Sequence, residues 1–66
     1  MKLHLNGVWV ELEQPLTILD LLSRHKLKPE TVVVEHNFQV PLKDQYSKIL
    51  LQDDDRVEIV KFMGGG

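Results

Sequence analysis

The sequence predicts a single small α+β domain, with one helix packed across a mixed β-sheet. Three observations carry that expectation. An Asn-Gly turn joins two alternating apolar segments near the start, one apolar stripe follows at helical spacing, and further β-branched segments come after it. At 66 residues the chain has room for one domain with a thin core.

Residues 1–13 read as a hairpin. Leu3 and Leu5 alternate with Lys2 and His4, and Val8, Val10 and Leu12 alternate with Trp9, Glu11 and Glu13. Asn6-Gly7 suits a type I′ turn, because both central positions need positive φ. A two-residue turn fixes the register. It sets Leu5 opposite Val8, Leu3 opposite Val10 and Met1 opposite Leu12, all on one face. The other face pairs His4 with Trp9 and Lys2 with Glu11. A one-residue slip would destroy this separation.

A helix of about ten residues follows. Thr17 is its expected N-cap, and Asp20 at the third helical position makes a short capping box. Leu16 and Leu21 are spaced as a hydrophobic staple. Ile18, Leu21 and Leu22 form the core-facing stripe. Arg24, Lys26 and Lys28 favour the C-terminal end of the dipole, and Pro29 is the expected stop.

Residues 31–35 read as a strand and His36-Asn37 as a turn. Residues 38–40 read as a short edge strand ended by Pro41. Residues 43–50 suit a short helical turn, with Asp44 as cap and Tyr46, Ile49 and Leu50 facing inward. Asp53-Asp54-Asp55 reads as a solvated turn. Residues 56–63 form the expected last strand, with Val57 and Ile59 on one face and Glu58, Val60 and Phe62 on the other. The first hairpin and the last strand are expected side by side in the middle of the sheet. This order fits a β-grasp (ubiquitin-like) fold, with residues 1–63 as the domain and 64–66 as a flexible glycine tail.

Composition narrows the function classes. With no cysteine there is no disulfide framework, thiolate zinc site or cysteine nucleophile. Eight basic residues oppose ten acidic ones, which argues against a nucleic-acid partner. No apolar run approaches a membrane span, and the first residues lack a signal core, so a cytoplasmic location is expected. His4, His25 and His36 show no metal-ligand spacing, and the three aspartates lack the glycine and distant glutamate of a calcium loop. No bound cofactor is expected. Trp9 is placed either to stack on a partner or to lie half-covered across the strands. No nucleophile, base and orienting residue form a constellation, so the chain does not read as an enzyme.

The sequence ends in Gly64-Gly65-Gly66. The tail is either a frayed end or a functional one. Glycine lacks a Cβ, so such a tail can enter a channel too narrow for other residues. Three residues can reach roughly 10 Å beyond the folded body. A terminal carboxylate can become an acyl donor once its oxygen is made a leaving group, and a separate enzyme using ATP could do that.

The chain resembles the ThiS family of sulfur carriers. The resemblance rests on the length, the Leu3-His4-Leu5-Asn6-Gly7 opening and the segment Leu16-Thr17-Ile18-Leu19-Asp20-Leu21-Leu22. It rests also on Asn37 with Val40-Pro41, on Asp53, Asp55, Val57, Glu58 and Ile59, and on the terminal Gly65-Gly66. The chain departs from the family pattern around residues 35–39, at Leu42 and at Met63.

The resemblance implies a β-grasp fold and a carrier role in thiamine biosynthesis. It implies that a ThiF-type adenylyltransferase activates the Gly66 carboxylate with ATP. Sulfur originating from cysteine would convert that group to a thiocarboxylate, and thiazole synthase (ThiG) would accept the sulfur. Gly64 and Gly65 would thread the tail into both partners. Val60 and Phe62 are the candidate docking residues, with packing within the sheet as the alternative. A MoaD-like molybdopterin carrier and a ubiquitin-like protein modifier are the rival readings, the former being typically longer.

Overall fold

The computed structural model describes residues 1–62. Four strands make one mixed sheet: β1 (Lys2–Leu5), β2 (Val8–Glu11), β3 (Val32–His36) and β4 (Arg56–Lys61). Their spatial order is β2-β1-β4-β3. β1 pairs antiparallel with β2 and parallel with β4, and β3 pairs antiparallel with β4. The helix α1 (Ile18–Arg24) packs on one face through Ile18, Leu21 and Leu22, joining Leu3, Val34, Leu51 and Val57 in the core. The predicted α+β architecture is the observed one.

The hairpin forms in the predicted register, from Lys2–Glu11 to Leu5–Val8. Asn6 and Gly7 have φ of 48° and 83°, the positive values that the turn requires. The Met1 ammonium donates to the Leu12 carbonyl at 2.6 Å, and the Leu12 N–H returns a bond to Met1 at 2.8 Å. Val8 lies on the expected face opposite Leu5 but is 61% exposed. It sits on the edge strand beside the turn, away from the buried cluster.

The capping box closes as the sequence predicts. Thr17 Oγ1 accepts the Asp20 N–H at 3.0 Å, and Asp20 Oδ2 accepts the Thr17 N–H at 3.1 Å. Two further N–H groups of the first turn, from Ile18 and Leu19, donate to the carbonyls of Ile49 and Tyr46, each at 3.0 Å. A distant loop thus completes the helix start. The helix is shorter than expected, at seven residues. Lys26 adopts φ 57°, and the N–H groups of Lys26 and Leu27 bond to the carbonyls of Ser23 and Leu22 at 3.0 and 2.9 Å. This is a Schellman stop with lysine where glycine is usual. Lys26 and Lys28 therefore lie past the last turn, and Pro29 opens a 3-10 turn, Pro29–Thr31, instead of ending the helix.

The second half holds the main corrections. β3 starts one residue late, because Thr31 belongs to the 3-10 turn and its hydroxyl bonds to the Lys28 carbonyl at 2.7 Å. The expected strand at 38–40 is absent. Asn37 and Phe38 take φ of 49° and 69° and form the centre of a tight turn, leaving a single bridge from His36 to Gln39. Pro41 then offers no N–H to extend it.

Residues 43–50 form only a 3-10 turn, Lys43–Gln45, with Leu42 at the N-cap position and Asp44 capping nothing. Tyr46 is buried and Ile49 packs on the core, but Leu50 faces outward. The bridge between Thr17 and Leu50 turns Leu51 inward instead, and the Leu51 N–H bonds to the Leu16 carbonyl at 2.8 Å. β4 ends at Lys61, and the expected strand residue Met63 lies outside the described residues.

Candidate functional site

The candidate site is built on β4, the central strand that runs toward the glycines. Val57 is fully buried on the helix side. The period of two therefore sends Arg56, Glu58, Val60 and Phe62 to the opposite face. Val60 and Phe62 are 61% and 56% exposed, so neither candidate docking residue is taken up by packing within the sheet. Val33 lies opposite Val60 across the antiparallel pair and is also exposed. Together they form an apolar strip leading to the chain's last residues. Val33 was legible as the outward member between inward Val32 and Val34, but sequence reasoning missed it. The predicted tail residues Gly64, Gly65 and Gly66 lie outside the described residues.

Polar and aromatic groups occupy the other end of this face. Arg56 bonds to Glu35 at 2.7 Å and approaches Glu58 at 3.9 Å, while its guanidinium lies 4.3 Å from the Phe38 ring centre. Trp9 is 55% exposed. Its ring stacks on His4 at 4.7 Å, and the Lys2 ammonium lies 5.1 Å from its centre. Trp9 thus packs across the strands on one side and leaves its remaining surface exposed.

Before β4, Asp53 and Asp54 form the expected exposed turn, whereas Asp55 is half-buried and paired. Asp53 Oδ1 accepts the Lys2 N–H at 2.7 Å. Asp55 Oδ2 pairs with His36 Nε2 at 2.8 Å and accepts the Gln52 N–H at 2.9 Å, and its Oδ1 accepts from Asn37 at 3.1 Å. Burial alone would raise the Asp55 pKa. The bonds from His36, Gln52 and Asn37, with the charge of His36, outweigh it and hold the carboxyl below its ordinary range. Asn37 also accepts the Arg56 N–H at 2.9 Å. These bonds tie β3 to β4 at the end far from the tail. His25 follows the helix and His4 lies under Trp9, so the three histidines stay apart. Among the described residues no three His, Cys, Asp or Glu side chains are grouped to hold a metal ion. No helix among them is long and apolar enough to cross a membrane.

The sequence model described as the ThiS family matches residues 3–66. The chain belongs to the ThiS family. It is 42% identical over 65 residues to the sulfur carrier protein ThiS of Bacillus subtilis, covering 97% of this chain and 98% of that one. It is also similar to two proteins named thiazole synthase. The one from Magnetococcus marinus is 42% identical over 66 residues, and the one from Paramagnetospirillum magneticum is 35% identical over 66 residues. The chain spans only 20% of the length of each of these two. The crystal structure of ThiS from Geobacter metallireducens superposes with a TM-score of 0.85 at 35% identity, each chain fully covered. The fold is accordingly that of ThiS, the β-grasp anticipated from the strand order.

Proposed function

We propose that the chain is a sulfur carrier of thiamine biosynthesis, with the Gly66 carboxylate as the group that is loaded. The observation that carries this reading is the match to the Bacillus subtilis carrier along almost the whole of both chains. The folded body acts as a handle and does no catalysis itself. A ThiF-type adenylyltransferase binds it and supplies the ATP site. The Gly66 carboxylate oxygen attacks the α-phosphate of ATP, pyrophosphate leaves, and an acyl-adenylate forms. Hydrosulfide derived from cysteine then attacks the acyl carbon, the bond from that carbon to the adenylate oxygen breaks, and AMP departs with the oxygen to leave the thiocarboxylate.

The resulting thiocarboxylate is a better nucleophile than the carboxylate and can deliver sulfur to the thiazole precursor on thiazole synthase. The occurrence of related segments within two proteins named thiazole synthase supports that enzyme as the acceptor, because joining carrier and acceptor in one chain raises their effective concentration. Gly64 and Gly65 thread the partners' channels, and Val60 and Phe62 dock the handle. The exposure of both side chains on one face supports this role.

Mass spectrometry tests the proposal. Incubation with the adenylyltransferase, ATP and a sulfur donor should add about 16 Da to the C-terminal peptide, the difference between sulfur and oxygen. An unchanged mass overturns the reading, and high-mass conjugates in its place would assign the chain to the protein modifiers.

A further inference from the structure

β1 pairs with β4 only through His4–Arg56 and Leu5–Val57. The chain then turns away at Asn6, whose side chain takes the N–H of Ile59. Beyond that point, among the described residues, β4 has a strand neighbour on the β3 side alone. The Asp55 and Val57 carbonyls accept from His4 and Asn6 on the β1 side. By the alternation of a strand, the Ile59 carbonyl and the Lys61 N–H face that same side, into an open lane past the hairpin tip.

A cleft of about 180 Å³ lies in this lane, lined by Leu5, Asn6, His25, Leu27, Ile59 and Lys61. Three of these are apolar and none is a carboxylate. Arg24, Lys26 and Lys28 are exposed and flank His25 and Leu27 in the chain. With Lys61 they make four of the eight basic residues of a chain whose net charge is −2. An open strand edge and an apolar floor therefore coincide with Lys61, and three more exposed basic residues neighbour the lining residues His25 and Leu27 in the chain.

We infer that this lane seats an extended acidic segment of a partner protein, which joins the sheet as a strand beside the end of β4. Main-chain bonds to Ile59 and Lys61 hold the segment. An apolar side chain enters the cleft over Leu5, Leu27 and Ile59, and a carboxylate two positions on, facing the same side, meets Lys61. The inference goes beyond the carrier reading and needs no reaction at Gly66.

The test is a ¹⁵N NMR titration of the full chain with a capped peptide, Val-Thr-Glu-Thr-Glu, and with its counterpart carrying lysine for glutamate. Saturable shifts at the Ile59, Lys61 and Leu27 amides are expected, with slowed exchange of the Lys61 amide. The lysine peptide should bind about tenfold more weakly or worse, and Lys61→Glu should reverse that preference. Three results overturn the inference: no saturable shift at millimolar peptide, equal binding of both peptides, or shifts along the other open edge at Val8–Glu11. Shifts that follow protein concentration without peptide would assign the lane to a second copy. Contacts from Gly65 or Gly66 to Leu27 would assign it to the chain's own tail. Either also overturns it. A normal thiocarboxylate mass shift alongside any of these results would leave the carrier reading standing.

Discussion

The side-chain oxygen of Asn6 accepts the backbone N–H of Ile59 at 2.7 Å. β1 has already ended at Leu5, so no backbone carbonyl of that strand remains for this donor. The turn residue thereby extends the parallel ladder by one bond. At the opposite end of β4, the Asn37 side chain adds a bond to the antiparallel β3–β4 ladder, accepting the Arg56 N–H at 2.9 Å. Both asparagines have positive φ, so one residue type serves the turn and the neighbouring strand together.

Substitutions at Asn6 should separate these two roles. Asn6→Gly keeps the turn conformation and loses the acceptor, and should cost about 0.5–1.5 kcal/mol, the net worth of a hydrogen bond whose donor water can reach. Asn6→Asp keeps both and should cost less. Asn6→Ala loses both and should be the least stable. Urea denaturation ranks the three, and hydrogen exchange of the Ile59 amide should accelerate in the first and third only.

Removing the helix cap should be a local event with a global cost. Thr17→Ala frees the Asp20 N–H and should lower stability by about 1 kcal/mol. The helix start keeps its bonds to Ile49 and Tyr46, so circular dichroism should show the helical signal preserved below the melting transition. Loss of the helix in the folded state would contradict the role assigned to that loop.

Asp55 makes stability depend on pH at the acid end. Its folded pKa lies below the ordinary value of 3.8. The folded state thus favours the ionised form, and the contribution is fully present above the unfolded pKa. It is lost as pH falls through the lower, folded value. Asp55→Asn should flatten the stability profile below about pH 4, as read by thermal melts across a pH series. A slope identical to that of the parent chain would assign acid sensitivity to other carboxylates.

The exposed strip should be dispensable for folding and needed for docking. Phe62→Asp should change stability by no more than about 0.5 kcal/mol, because the side chain is largely in water. It should raise the KM of tail adenylation while leaving kcat nearly unchanged, since the reacting group is untouched. An unchanged KM would remove Phe62 from the docking surface.

Most of the first half was legible in the sequence because its signals are local. Asn6-Gly7 fixed a register that every later pair obeys, and Thr17 with Asp20 marked the helix start within three residues. The helix end was misread because Lys26 adopts a conformation usually left to glycine. In the second half, the decisive contacts are long-range. Leu50 and Leu51 are equally apolar, and only the bridge to Thr17 decides which of them is buried. Phe38 looked like a strand residue by composition, yet the bonds of His36 to Gln39 on both sides of it make it a turn. At the site, alternation along β4 placed Val60 and Phe62 on one face. The paired state of Asp55 was hard to see, because only Gln52 is near it in the chain, and its partners His36 and Asn37 come from the end of β3 and the turn after it.

The strand order β2-β1-β4-β3 has a kinetic consequence. β1 and β3 meet only through β4, the last of these strands to be synthesised. A nascent chain can close its first hairpin early, but the centre of the sheet waits until residues 56–61 leave the ribosome. Bringing residue 4 to residue 56 requires closing almost the whole chain, so this step should dominate the folding barrier. In this topology the face that carries Val60 and Phe62 is completed only when the last strand has joined the sheet.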